Sequence, residues 1–149
     1  MKVAVSRCLL GGNCKYNGGN NFDPELNKLL QGHEVIAVCP EVRGGLPVPR
    51  DPCEIVDGKV CTAKGISCDD AYRRGARIEL ESVRRFGAQL AILQARSPSC
   101  GVRHVYDGTF SGTLISGSGI FAHLLKQEGI MAVDTEAKAQ LKSLLAGKC

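Results

Sequence analysis

Three of the eight cysteines lie at the expected carboxyl ends of predicted strands. Cys8 follows a predicted strand, Cys39 ends the next one, and Cys100 lies in the loop after a third. Because ligands of open parallel sheets bind at this edge, thiols roughly 30 and 60 residues apart in sequence should meet there. Soft thiolates prefer iron–sulfur clusters or zinc to magnesium or calcium. The spacing therefore predicts a three-thiol metal site, with packing of the thiols as small buried hydrophobes as the alternative.

Three thiols would leave one position of an iron–sulfur cluster open, since four thiolates are the usual set. By analogy with catalytic zinc, an open coordination position marks a reactive centre rather than a structural one. The Cys-x-x-Cys pair that is typical of structural zinc does not occur in the sequence.

Polar side chains accompany two of these cysteines. Glu41, two residues after Cys39, could be a general base beside a metal, or simply a solvated loop carboxylate. Ser97 and Ser99 precede Cys100, and their hydroxyls could enter the same cavity or cap a following helix. Both alternatives remain open at this point.

Other candidates are less clearly placed. His104 is a candidate fourth ligand or proton donor, because it follows Cys100 by four residues. Cys14 could belong to the metal-binding loop. Glycine pairs at 11–12, 18–19 and 44–45 could let backbone amides approach an anion or cluster sulfides. The remaining cysteines are expected to be peripheral or terminal, with a separate metal site as a further possibility for the first three: Cys53, Cys61, Cys68 and Cys149.

The elements that must position these residues alternate between strand and helix. Periodicity and capping signals predict strands at 2–7, 34–39, 89–94 and 130–133, and helices at 24–31, 69–86, 119–127 and 135–146. The apolar run at 34–39 predicts a strand buried on both faces. The segment 40–52, with four prolines, predicts an irregular surface loop, and 106–112 predicts a turn-rich loop. Asp57-Gly58 predicts a small hairpin over 54–61.

This alternation predicts an α/β fold: a small, open, mostly parallel sheet with helices on both faces, a Rossmann-like three-layer arrangement, plus a β-hairpin insertion. No linker or repeat divides the sequence, so we expect one domain over residues 1–149.

The composition excludes several classes of protein. With 44% hydrophobic residues and a net charge of +4, the chain differs from disordered sequences. No apolar run approaches the roughly 18 residues of a membrane span, and no signal peptide is recognised, so we expect no membrane association and a cytoplasmic protein with reduced thiols. The basic residues are dispersed, which argues against nucleic-acid binding. The sequence does not indicate an oligomeric state.

Four motifs, in order along nearly the whole chain, resemble those of the family long called domain of unknown function 523, which includes the thiouracil desulfidases. They are Ser6-Arg-Cys8-Leu-Leu-Gly11, Cys39-Pro-Glu41-Val-Arg-Gly-Gly-Leu-Pro-Val-Pro-Arg50, Arg96-Ser97-Pro-Ser-Cys100-Gly101 and Tyr106-Asp-Gly-Thr-Phe-Ser-Gly112.

The resemblance implies a [4Fe-4S] cluster held by Cys8, Cys39 and Cys100, with the fourth iron open to take up sulfur from the substrate. It also implies catalytic roles for Glu41 and Ser97. The implied reaction converts a small thiolated pyrimidine, such as 2-thiouracil, 4-thiouracil or 4-thiouridine, to the oxo compound without net redox change, by a hydrolase- or lyase-type removal of sulfur.

The sequence also departs from the family pattern. Cys53 replaces an alanine-like residue, Cys68 interrupts a usual Asp-Val-Thr segment, and Gln94 replaces a more usual lysine. These departures concern substrate choice more than cluster binding. The alternatives are a non-catalytic module that binds zinc or an iron–sulfur cluster, and a thiol redox sensor.

Overall fold

The computed structural model describes residues 1–146, so Cys149 lies outside the described residues. In chain order, the first elements are β1 (Lys2–Ser6), a 3-10 turn (Arg7–Leu10), α1 (Pro24–Leu29), β2 (Glu34–Val38), α2 (Pro40–Arg43), β3 (Cys53–Val56) and β4 (Lys59–Thr62). They are followed by α3 (Asp69–Phe86), β5 (Leu90–Leu93), β6 (His104–Tyr106), β7 (Leu114–Ser116), α4 (Ile120–Gln127), β8 (Met131–Asp134) and α5 (Lys138–Leu145).

Four strands form a central sheet in the order β2-β1-β5-β8, and every neighbouring pair is parallel. The strand β1 is central because it pairs with β2 on one side and with β5 on the other. All four strands therefore end at one edge, which is where the predicted thiols should meet.

Side chains of alternate residues along each strand enter different hydrophobic clusters. Val3 and Val5 of β1 pack with residues of α1 and α5, whereas Ala4 packs with residues of α3 and α4. Helices thus cover both faces, and the predicted three-layer α/β architecture is confirmed.

Two expectations for the middle of the chain were wrong. The strand β2 is at the edge of the sheet and is only partly buried, because its unpaired side faces no further strand. The proline-rich segment begins with the short helix α2 rather than an irregular loop. Pro40 is compatible with this helix because it occupies the first turn, where its missing N–H is not needed.

Two antiparallel hairpins project from the sheet. The predicted one is β3–β4, whose turn has Asp57 and Gly58 at φ of 48° and 79°. The second, β6–β7, was not predicted because each strand has only three residues. The predicted loop 106–112 is most of the connection between β6 and β7.

Close backbone packing fixes α2 against α3. A Cβ atom on Gly44 would overlap the carbonyl of Ala71, and one on Gly75 would overlap the carbonyl of Pro40. Gly44 therefore serves helix packing, and the N–H groups of the Gly44–Gly45 pair donate to the carbonyls of Pro40 and Val42 rather than pointing to an anion site. Across residues 1–146, no helix combines the length and apolarity that crossing a membrane requires.

Candidate functional site

A cavity of about 560 Å³ opens at the carboxyl edge of the sheet. Its walls come from the ends of β1, β2 and β5, from α2, and from the hairpin β3–β4 and the β6–β7 connection. The three predicted thiols, Glu41 and both candidate serines all line this cavity.

Each thiol is presented by a different local structure. Cys8 lies in the 3-10 turn after β1, and Cys39 precedes the first turn of α2. Cys100 lies in the loop after β5 and is only 5% exposed. The backbone of Cys39 is fixed by the buried carboxylate of Glu79, which accepts a 2.8 Å hydrogen bond from the Cys39 N–H. The structure thus brings together three cysteines that are distant in sequence.

A fourth thiol belongs to the same cavity. Cys14 is 3% exposed and its side chain contacts those of both Cys8 and Cys39. Sequence reasoning left its position open because the glycine- and asparagine-rich loop around it carries no periodic signal.

The thiols have different acidities. The contact from Cys14 lowers the pKa of Cys8, and the Asn21 amide, 3.6 Å from Cys8 Sγ, acts in the same direction against the effect of burial. The contact with Cys14 and then burial raise the pKa of Cys39. Burial raises the pKa of Cys100 to about 12.

The donor set at this cavity consists of soft thiol groups. Within residues 1–146, no three His, Cys, Asp or Glu side chains are spaced to hold a single metal ion. Cys8, Cys39 and Cys100 instead line a cavity from three separate loops. Three soft donors around such a space fit an iron–sulfur cluster in ligand chemistry.

Glu41 is not a solvated loop residue, since its side chain is only 15% exposed. Its Oε1 accepts hydrogen bonds from Arg50 Nη2 at 2.9 Å and Nε at 3.2 Å. Its Oε2 accepts one from Ser99 Oγ at 2.7 Å and a longer one from Ser97 Oγ at 3.4 Å. The carboxylate is therefore held in one orientation at the cavity wall.

The serine hydroxyls line the cavity, as one of the two suggested roles requires, but within residues 1–146 they cap no helix, because the next element after Cys100 is the strand β6. Ser97 Oγ accepts hydrogen bonds from the N–H groups of Ser99 and Cys100, each at 3.1 Å, which fixes the loop. It also lies 2.9 Å from Ser99 Oγ at the cavity. The same hydroxyl therefore shapes the loop that carries Cys100 and lines the site.

The other candidates separate into two groups. His104 is exposed on β6 and does not line the cavity, so the structure does not support it as a fourth ligand. Cys61 also lies outside the cavity. Cys53 lines it and contacts Cys68, so the peripheral position expected for Cys53 was wrong. Gln94, one of the departures from the family pattern, is a lining residue.

Sequence reasoning missed two residues that contact Glu41. Arg50 lies in the proline-rich segment, nine residues from Glu41, and no helical or strand period relates the two. Tyr72 is buried on α3, and its pKa is raised by burial and then by the charge of Glu41. Its regular position on an amphipathic helix resembles that of any core residue.

The family model for 2-thiouracil desulfurase matches residues 3–137. The chain belongs to the 2-thiouracil desulfurase family. Residues outside the match are only the first two and the last twelve of the 149, so the family covers the sheet and the cavity.

Two relatives extend this assignment. An uncharacterized protein, YbbK, of Bacillus subtilis (strain 168) is 38% identical over 141 residues, which covers 88% of this chain and 93% of that protein. The solved structure of a [4Fe-4S]-dependent thiouracil desulfidase, TudS, superposes with a TM-score of 0.89 at 35% identity and covers 97% of both chains. Membership of the 2-thiouracil desulfurase family and this shared fold support an enzyme role for the chain.

Proposed function

We propose that this protein is a thiouracil desulfidase that replaces the sulfur of a small thiolated pyrimidine by oxygen, without net redox change. The observation that carries the proposal is the convergence of three thiols and an oriented carboxylate on one cavity. Family membership and the resemblance to a [4Fe-4S]-dependent thiouracil desulfidase support the same chemistry.

In this proposal Cys8, Cys39 and Cys100 hold a [4Fe-4S] cluster. When bound, the cluster supplies an open iron site, a soft Lewis acid that takes up the thiocarbonyl sulfur and makes the adjacent ring carbon electrophilic. The three side chains come from segments held by the sheet edge, α2 and the Ser97 turn, which would present them to the cluster from three separate parts of the sequence.

Glu41 acts as the general base that accepts a proton from the attacking water. Arg50 and Ser99 hold its two oxygens, so the carboxylate needs no reorientation before it accepts the proton. A positioned base of this kind contributes about 10²- to 10⁴-fold to rate.

Ser97 donates a hydrogen bond to the substrate ring or to the charge that develops on it. Its hydroxyl is placed for this because the backbone N–H groups of Ser99 and Cys100 already fix its oxygen. Ser97 Oγ lies 2.9 Å from Ser99 Oγ, and the Ser99 hydroxyl donates to Glu41. A hydrogen-bonded path therefore connects the Ser97 hydroxyl with the Glu41 carboxylate.

The test is anaerobic cluster reconstitution, followed by measurement of iron content and of sulfide release from 2-thiouracil, 4-thiouracil and 4-thiouridine. We expect brown, iron-loaded protein and sulfide release from at least one of the three. A fully iron-loaded protein that releases sulfide from none of them contradicts the enzyme proposal, and a colourless zinc protein would instead support a binding module.

A further inference from the structure

The aromatic residues of this chain are concentrated at the cavity. The sequence contains only three tyrosines and four phenylalanines. All three tyrosines and one phenylalanine line the cavity: Tyr16, Tyr72, Tyr106 and Phe110. Aromatic side chains present flat apolar faces on which a planar ring can stack.

Two of these residues belong to the hairpin β6–β7: Tyr106 ends β6, and Phe110 lies in the connection that follows. Phe110 has a φ of 58°, in the left-handed region that bulky residues rarely adopt. Such strain persists only where surrounding contacts over-determine the backbone, and it concentrates at functional sites. Phe110 therefore needs a structural cause for its position.

Glu54 supplies that cause. Its Oε1 accepts hydrogen bonds from the N–H groups of Gly108 at 3.0 Å and Phe110 at 3.1 Å. Gly108 approaches the hairpin so closely that a Cβ atom there would lie 2.6 Å from the carbonyl oxygen of Ile55. One carboxylate oxygen of Glu54, in β3, thus holds the β6–β7 connection at the cavity rim.

The connection is also braced internally. The Asp107 carboxylate accepts hydrogen bonds from the Thr109 N–H at 3.0 Å and from the Thr109 hydroxyl at 2.6 Å. The Asp107 N–H donates to the Thr113 carbonyl at 2.9 Å. Together with the two hydrogen bonds to Glu54, these bonds fix the backbone around Phe110, which lowers the entropy cost of ordering this residue when a ligand binds.

We infer that Phe110 and Tyr106 form the wall on which the planar ring of the substrate stacks, and that Glu54 is the positioning residue for this wall. The inference rests on the proposed function and assigns to it the side chains that bind the flat ring of the pyrimidine. Glu54 also lines the cavity, but we assign it no contact with a reacting atom. It acts through the backbone of Gly108 and Phe110.

Ring stacking can be measured separately from turnover with uracil, the oxo product, and 5,6-dihydrouracil. The two probes share a hydrogen-bonding edge, but dihydrouracil lacks the flat aromatic ring. We expect reconstituted wild-type protein to bind uracil more tightly than dihydrouracil in calorimetric titrations. Phe110→Leu and Phe110→Asn should weaken uracil binding by between about fivefold and a hundredfold and remove the preference.

The Asn variant separates stacking from folding, because Asn tolerates the left-handed backbone better than Phe does. Phe22→Leu is the matched control, since Phe22 is 51% exposed and does not line the cavity. Uracil binding that is unchanged in both Phe110 variants overturns the inference, as does a wild-type protein that binds the two probes equally.

Glu54 is tested by comparing two variants. Glu54→Ala removes the acceptor of both N–H groups and should raise the KM for the thiolated substrate about tenfold with little change in kcat. Glu54→Gln keeps an oxygen acceptor and should restore most of the binding. Equal defects in both variants, or a defect confined to kcat, contradict the positioning role.

Failure of this inference differs from failure of the proposed function. If wild-type protein releases sulfide and the Phe110 and Glu54 variants match it in KM and in uracil binding, the wall is wrong and the desulfidase proposal stands. If iron-loaded wild-type protein releases no sulfide from any thiolated substrate, the proposed function fails. The uracil titrations then still test whether Phe110 and Tyr106 form a stacking wall.

Discussion

The Ser99 hydroxyl donates a 2.7 Å hydrogen bond to Oε2 of Glu41, 58 positions away in sequence. Ser99 is 1% exposed, and its Oγ also lies 3.6 Å from the Sγ of Cys100. This buried hydroxyl therefore connects the proposed base with the loop that carries one proposed cluster ligand. The positions of Glu41 and Cys100 therefore both depend on the Ser99 hydroxyl.

Glu41→Gln should keep the cluster and lose turnover. The amide preserves the size of the side chain and can accept the Ser99 hydrogen bond, but it is a far weaker base than a carboxylate. We expect iron content within error of wild type and sulfide release reduced about 10²- to 10⁴-fold. Glu34→Gln, an exposed change in β2, is the control. Loss of iron in Glu41→Gln would show that the residue is structural.

Replacing any proposed ligand should release iron. Cys8→Ala, Cys39→Ala and Cys100→Ala each remove a thiolate, so we expect reconstituted protein to lose most of its iron and its brown absorbance. Cys61→Ala is the matched control, because this thiol lies outside the cavity. Cys14→Ala is the stricter comparison, since Cys14 lines the cavity but is not a proposed ligand. Iron loss in Cys14→Ala that equals the loss in Cys8→Ala would refute the three-ligand assignment.

Arg50→Lys should disturb Glu41 although it conserves charge. The Arg50 guanidinium reaches Glu41 Oε1, the Cys14 carbonyl at 2.9 Å and the Pro47 carbonyl at 3.1 Å. A lysine ammonium cannot reproduce this planar fork. Sulfide release should fall at least about tenfold, and unfolding free energy by about 1.5–3 kcal/mol. Arg84→Lys, in an exposed ion pair with Glu128 and outside the cavity, should change neither by a comparable amount.

Gly75→Ala should separate α2 from α3. The added methyl group overlaps the Pro40 carbonyl, and backbone cannot move aside as a flexible side chain would. We expect a loss of about 1–3 kcal/mol of unfolding free energy, measured by urea denaturation, and weaker activity because α2 carries Glu41. Glu81→Ala on the exposed side of α3 is the control. Wild-type stability in Gly75→Ala would contradict the close-packing interpretation.

The Asp23 cap should make stability depend on pH. Burial raises the pKa of Asp23, but the hydrogen bond from the Leu26 N–H and the charge of Lys138 outweigh this effect and lower it overall. The ionised Asp23 carboxylate therefore stabilises the folded state fully above the ordinary aspartate pKa of about 3.9. This stabilisation is lost as the pH falls through the lower pKa that Asp23 has in the folded protein.

Asp23→Ala should cost about 1 kcal/mol at neutral pH, and the difference from wild type should shrink at about pH 2.5. Asn can still cap the helix but does not titrate, so Asp23→Asn should be nearly as stable as wild type at neutral pH. Urea denaturation at both pH values measures these differences. A gap between wild type and Asp23→Ala that stays constant with pH would exclude the carboxylate as the cause.

Much of the fold could be predicted because its signals are local. Helical period over 69–86 predicted α3 with its observed bounds, and Asp23-Pro24 predicted the start of α1. The errors have physical causes too. An apolar run reports that a segment can be buried, but whether β2 lies inside the sheet or at its edge depends on strand order, which no local pattern encodes.

The sequence by itself determined that Cys8, Cys39 and Cys100 lie at or after strand ends, and therefore that these three thiols meet at one edge of a parallel sheet. Only the tertiary structure placed Cys14 between Cys8 and Cys39, joined Glu41 to Arg50 and Ser99, and brought Phe110 to the cavity rim through Glu54. Periodicity describes how neighbours along the chain are arranged. Contacts between residues up to 58 positions apart arise from how elements pack, so they exist only once the fold has formed.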